Sequence, residues 1–135
     1  KISYATPWNL IHWRAITAAY NKSAYFIYYR DDFEKFFTLK YNWLIDYNHE
    51  LLTVCLKQLR LNKEITYTES FHSTYDIDDL RAKINPRNEP EFCFMPYTQV
   101  FDTKNGFIGN LSIIDLLFNC GPDSLEYLEQ TSSTP

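Results

Sequence analysis

At 135 residues, 45% of them hydrophobic, the chain is long enough to bury one core and too short for two comfortable domains. A formal charge of −4 and a pI near 5.3, with Lys and Arg scattered and never in a stripe, exclude an electrostatic grip on nucleic acid or an anionic membrane. Eleven Tyr, ten Phe and three Trp against three Gly describe a densely packed globular chain, neither low-complexity nor disordered.

In chain order, Thr6-Pro7 predicts the start of a first helix, with Thr as cap and Pro at the first helical position. Trp8, Ile11, His12, Ala15, Ile16 and Ala19 follow at helical spacing, which predicts one apolar face. Asn21-Lys22-Ser23 breaks that helix, and Ser23 is the expected cap of "AYFIYY". Asp31 and Glu34 have capping-box spacing, so a further helix start is expected there, with Phe33, Phe36 and Phe37 as its buried stripe. A clear helix is predicted from about Asp46 to Arg60, stopped near Asn62, with Leu51, Leu52, Cys55, Leu56 and Leu59 on its apolar side. "EITYTESF" alternates apolar and polar residues, which predicts a strand over Ile65 to Phe71.

"DIDDLRAKI" reads as a short helix, acidic first and basic last in the order that suits a helix dipole, ended by Pro86. "RNEPEF", between Pro86 and Pro90, reads as a loop or a lid. A second strand is expected over Tyr97 to Phe101, followed by a turn at Lys104-Asn105-Gly106 with Gly supplying positive φ. Two last helices, Ser112 to Asn119 and Asp123 to about Glu129, are separated by Gly121-Pro122. The expected architecture is α+β: one mostly helical domain over 1–130 with a small sheet of two or more short strands, then a disordered tail over 131–135.

Cys55, Cys93 and Cys120 are odd in number and widely spaced among apolar or aromatic neighbours. They read as small hydrophobes of a reducing compartment, so the expected location is cytoplasmic. No stretch approaches the roughly 20 apolar residues of a membrane span, and no signal peptide is visible. The start at Lys1 leaves an upstream segment open.

Three isolated glycines cannot build a phosphate-cradling loop, GxSxG and CxxC are absent, and "HELLT" has Thr53 where a zinc-binding HExxH would need its second His. No metal ligand and no cofactor is assigned. The informative stretch is "GFIGNLSIIDLLFNCGP". At roughly 100° per residue, Ser112, Asp115 and Asn119 fall within a wedge of about 60°, a polar seam on an otherwise apolar helix. Two readings stand. In the structural one, Ser112 and Asp115 cap the helix start, Asn119 serves its last turn and Asn110 orders the turn after Gly109. In the functional one, the seam faces a cavity where Asn110 and Asp115 bind a polar ligand beside Gln99, because Asp115 inside an apolar helix wants a buried partner. His12 is read either as a satisfied core histidine or as a catalytic one. Arg81 is read either as paired with Asp78 or Asp79 at the surface or as a substrate contact. The "YFIYY" cluster is read as core or as a sugar-stacking surface.

"WNLIHWRAITAAYNKSAYFIYYRDDF", "YTQVF" and "GFIGNLSIIDLLFNCGP" together resemble the WbqC-like family of bacterial proteins, in order, from about Ser3 to Glu129. The family's blocks fall on His12, Trp13, Tyr20, Tyr28, Tyr29, Tyr97, Gln99, Phe101, Asn110, Ser112, Asp115 and Asn119. Members carry a further N-terminal portion with a basic element, so the chain resembles the C-terminal two-thirds of a member. The resemblance implies a role in making surface polysaccharide (O-antigen) or its sugar precursors, and brings no defined reaction. The resulting expectation is a cytoplasmic enzyme transferring a group to a nucleotide-activated or lipid-linked sugar. His12 or Asp115 would be the general base, and Tyr97, Gln99, Asn110, Ser112, Asn119 and Arg81 the substrate contacts. The alternative is a non-catalytic interaction or assembly protein whose motifs are packing signatures. Substrate and oligomeric state are left open, and nucleic acid is not an expected partner.

Overall fold

The computed structural model describes residues 1–75, 79–81 and 94–132. Among the described residues six α-helices run in order: α1 (Trp8–Tyr20), α2 (Phe26–Thr38), α3 (Leu44–Gln58), α4 (Asp102–Asn105), α5 (Ile113–Cys120) and α6 (Ser124–Ser132), the last two joined by a 3₁₀ turn over Gly121–Asp123. The expected "DIDDLRAKI" helix lies mostly outside the described residues; its described part, Asp79 to Arg81, is not helical. The loop-or-lid at "RNEPEF", Cys93 and residues 133–135 also lie outside them.

The α+β expectation is corrected: among the described residues there is no strand and no sheet. Alternation is a necessary condition for a half-buried strand, but a strand exists only where its backbone finds a ladder partner. In "EITYTESF" the alternation has no buried face, since residues 66–71 are all exposed. The segment is held instead by a side chain, with the Tyr67 hydroxyl bonded to Nδ1 of His49 on α3. Over Tyr97 to Phe101 a side chain replaces the ladder. Gln99 donates from Nε2 to the Ile108 carbonyl and accepts from the Ile108 N–H, both at 2.9 Å, satisfying the two backbone groups that a partner strand would have met. The loop so closed contains α4, and its turn has Gly106 at φ 70°, as expected.

The faces of α1 also differ from expectation. Asn9 and Trp13 are the buried residues, with Ile16 and Tyr20 completing the stripe, while Ile11, His12 and Ala15 face outward. Apolar periodicity there admits two neighbouring faces, and the one carrying Trp13 buries more area. Trp13 stacks on Phe37 at 5.4 Å and donates to Glu34 Oε1 at 3.0 Å. Asn9 donates to the Phe37 carbonyl at 2.7 Å. Neither Thr6 nor Ser23 caps the helix that follows it; Ser23 donates to the Tyr20 carbonyl and closes α1. Helix α2 runs unbroken through Asp31, because the buried face of Phe26, Phe33, Phe36 and Phe37 continues across it. Local capping spacing loses to that packing.

Helix α3 ends two residues before the expected Arg60, in a Schellman arrangement. The N–H of Leu61 reaches the Leu56 carbonyl at 2.9 Å, that of Arg60 reaches the Lys57 carbonyl at 3.0 Å, and Arg60 takes φ 58°. At the other end of the chain, α6 extends into the expected tail, and the buried Thr131 donates to the Tyr127 carbonyl at 2.9 Å.

Short α5 is the centre of the molecule. Leu117 and Phe118 are fully inaccessible to solvent. The Phe118 ring meets Tyr20 from α1 and Phe26 and Phe33 from α2 edge-on, with centroids 5.1–5.6 Å apart. Such edge-to-face pairs are worth roughly 0.5–1.5 kcal/mol each beyond the area they bury. Cys55 and Leu59 of the α3 end complete this core.

Candidate functional site

Position 115 puts a carboxylate into the core, where it is 3% exposed. Ser112 is the N-cap residue of α5 and its carbonyl accepts the Asp115 N–H at 2.8 Å, but no side-chain cap forms. The Asp115 side chain turns inward. Its Oδ2 accepts from the Tyr97 hydroxyl at 2.6 Å and from Gln99 Nε2 at 3.2 Å, and the Tyr20 hydroxyl also donates to the carboxylate. Burial first, then the hydrogen bond to Asp115 and its negative charge, push the phenols of Tyr20 and Tyr97 above their ordinary value near 10, which keeps both as donors. Asn119, one turn on, donates to the Asp115 carbonyl at 2.8 Å. The seam residue Asp115 therefore has protein partners on every side the described contacts reach, with no cation among them.

Of the sequence-derived site residues, Tyr97, Gln99 and Asp115 come together, with Asn119 beside them. His12 stands apart: it is exposed, edge-on to Trp8 at 5.5 Å. Asn110 is exposed and takes φ 56°, a left-handed turn that Asn tolerates. Ser112 is exposed as well. Arg81 lies elsewhere, in a cavity of about 470 Å³ with Thr68, Ser70 and Phe71. Its guanidinium is bonded to Asp79 and to the carbonyls of His72 and Ser73, and sits over the rings of Tyr75 at 4.9 Å and Phe71 at 5.6 Å. The same pairing holds the Asp79 carboxyl down to about 2.

Above the buried network opens a second cavity, of about 430 Å³. Tyr25 and Tyr127 contribute aromatic surface to it, and Thr98, Asn119, Asp123 and Glu126 contribute oxygen and amide groups. Tyr127 links the two sites: its ring meets Tyr97 edge-on at 5.1 Å, and its hydroxyl donates to the Met95 carbonyl at 2.8 Å. The backbone beneath is tightly specified. The Tyr25 N–H donates to the Phe118 carbonyl at 2.9 Å, and Gly121 lies under the Tyr25 ring at φ 56°, where a Cβ would fall 2.5 Å from ring carbons. Ser124, almost fully buried, donates to the Gly121 carbonyl at 2.7 Å and fixes the start of α6. Cys120 also lines this cavity, and burial, then the charges of Asp115 and Asp123, push its thiol up.

A model of the WbqC-like protein family matches residues 1–89 and 87–127. The chain belongs to that family. The resemblance read from the sequence blocks is thus confirmed, while no curated protein and no solved structure matches the chain. The two matched stretches of this WbqC-like chain meet in the buried network, Tyr20 coming from the first and Tyr97, Gln99 and Asp115 from the second. Among the described residues no three His, Cys, Asp or Glu side chains gather where a metal ion would sit, and no helix is long and apolar enough to cross a membrane.

Sequence reasoning placed Asp115 beside Gln99 and in want of a buried partner, as the structure has it, and did not reach Tyr20. Tyr20 has no local signal linking it to a residue so far along the chain. Tyr25 was read within the "YFIYY" cluster, as core or a sugar-stacking surface, whereas Asp123, Glu126 and Tyr127 were not selected because the helix before them was read for its seam alone. The acidic residues flanking "CGP" were the available signal.

Proposed function

We propose that this WbqC-like chain handles a sugar in surface-polysaccharide or sugar-precursor biosynthesis, as part of a cytoplasmic enzyme transferring a group to an activated or lipid-linked sugar. The observation supporting this reading is the cavity beside Tyr25 and Tyr127. Its volume of about 430 Å³ falls within the usual range of small-ligand sites. Flat aromatic surface suits the C–H face of a sugar ring, and carboxylate and amide oxygens suit its hydroxyls. The base is drawn from the cavity wall, from Asp123 or Glu126, which are exposed. Asp115, beneath them, holds Tyr97 and so supports Tyr127. Titrating the full-length protein with a panel of nucleotide-sugars and following its melting temperature tests the reading. A rise with at least one sugar is expected, and no shift across the panel refutes it.

A second reading, a non-catalytic assembly protein, is favoured by one observation: Asp115 and Gln99 are both sealed from solvent and paired within the chain. On that reading a folded Asp123→Asn, Glu126→Gln protein keeps full biological activity. Loss of polysaccharide production with an unchanged circular dichroism spectrum rejects it.

A further inference from the structure

Asn105-Gly106 is the one Asn-Gly step in the chain. Such a step is open to an internal reaction, because glycine has no Cβ to keep its nitrogen from the preceding carboxamide. Both residues are exposed, and a Cβ at Gly106 would meet nothing within 4 Å, so no neighbour covers the bond on that side. The restraint comes from the backbone. The Gly106 N–H donates to the Asp102 carbonyl at 2.8 Å and the Asn105 N–H to the Phe101 carbonyl at 3.0 Å. Helical ψ holds a carboxamide away from the next nitrogen, so the closed turn protects the bond. Helix α4 is only four residues long, however. A lone turn bears the whole cost of nucleation for few bonds and opens readily.

We propose that Asn105 is a site of spontaneous deamidation, reached through openings of α4, and that the isoaspartate formed there releases the clamp between Gln99 and Ile108. The Gly106 nitrogen gives its proton to solvent and attacks Asn105 Cγ. The N–Cγ bond forms, the Cγ–Nδ2 bond breaks, and ammonia leaves with a proton taken back from solvent. Water then opens the succinimide at either carbonyl, giving aspartate or isoaspartate, with no change of oxidation state. Isoaspartate routes the main chain through the side-chain carbon and so lengthens the loop by one methylene. It also puts a negative charge at the C-terminal end of α4, where the helix dipole opposes it. Gln99 meets both backbone groups of Ile108 at 2.9 Å only while that loop keeps its length. Phe107, between the two, packs on Tyr97 at 5.3 Å, which carries the change toward the hydroxyl that holds Asp115.

Ageing the whole chain in warm, mildly alkaline buffer, followed by peptide mass spectrometry, tests it. Asn105 is expected to convert before any other Asn, to a mixture of isoaspartate and aspartate. Its rate is expected to be about tenfold below that in a free peptide of residues 99–108, the ratio that one weakly held turn supplies. In the isoaspartyl form the Ile108 amide hydrogen is expected to exchange about tenfold faster than in the fresh protein. Asn105→Asp, which has the charge without the added methylene, is expected to exchange as the fresh protein does, and Asn105→Gln to stay unmodified. Earlier conversion of another Asn, or an Asn105 wholly intact once the peptide has converted, overturns the site. Equal rates in peptide and protein overturn its gating by α4. Unchanged exchange at Ile108 in the isoaspartyl form, or the same rise in Asn105→Asp, overturns the release of the clamp.

Discussion

Replacing Tyr97 with Phe deletes a single hydroxyl from the centre of the buried network. The ring contacts with Phe107 at 5.3 Å and Tyr127 at 5.1 Å are kept, so the change isolates the 2.6 Å bond to Asp115. A hydrogen bond to a charged acceptor contributes about 1.5–3 kcal/mol. Gln99 and Tyr20 remain as donors to the carboxylate, so it is not left bare and the lower half of that range applies. A loss of about 2 kcal/mol lowers Tm by roughly 5–10 °C in a chain of this size. Urea unfolding followed by circular dichroism measures it, with an unchanged m value as the sign that the native and denatured states are otherwise alike. Combining the change with Asp115→Asn should then cost less than the sum of the two, since they remove the same bond. A loss below about 0.5 kcal/mol, in the range of ordinary surface substitutions, refutes the claim that this network holds α5 in place.

Phe118→Ala empties the space between Tyr20, Phe26 and Phe33 and is expected to cost about 3–5 kcal/mol in the same unfolding assay. Gly121→Ala drives a methyl into the Tyr25 ring and strains a left-handed residue, for a loss of about 2–4 kcal/mol, part of which Tyr25→Ala restores. Alkaline stability carries its own signature. Tyr20, Tyr97 and Tyr41 all have folded values above the ordinary 10, that of Tyr41 reaching about 12 through burial and its bond to Glu50. Their contribution is complete below pH 10 and is lost as pH climbs through the raised folded values. Melting temperature should fall steadily above pH 10, with tyrosinate absorbance rising as unfolding proceeds; a flat profile to pH 12 contradicts the burial of these hydroxyls.

What could be read in advance was whatever depended on near neighbours. The Phe33, Phe36 and Phe37 stripe and the apolar side of α3 are local periodicities, and both are buried mainly as expected, Leu52 excepted. The positive φ of Gly106 is likewise a local matter. Failures came where a distant partner decides. "EITYTESF" has strand composition and lacks a strand to pair with. Gln99 was noticed as a ligand contact, yet nothing nearby announces that its amide brackets Ile108. The seam on α5 was visible as a pattern; that Tyr20 meets Asp115 in the core depends on how α1 and α5 approach each other.

The central place of α5 bears on how the protein matures as it leaves the ribosome. Tyr20, Phe26 and Phe33 are translated long before Phe118, so their shared socket stays open, greasy and wet until the C-terminal quarter emerges. Unfinished chains of this kind are prone to aggregate. A truncation that removes α5 and α6 is therefore expected to behave as a chaperone client, and not as a smaller folded unit.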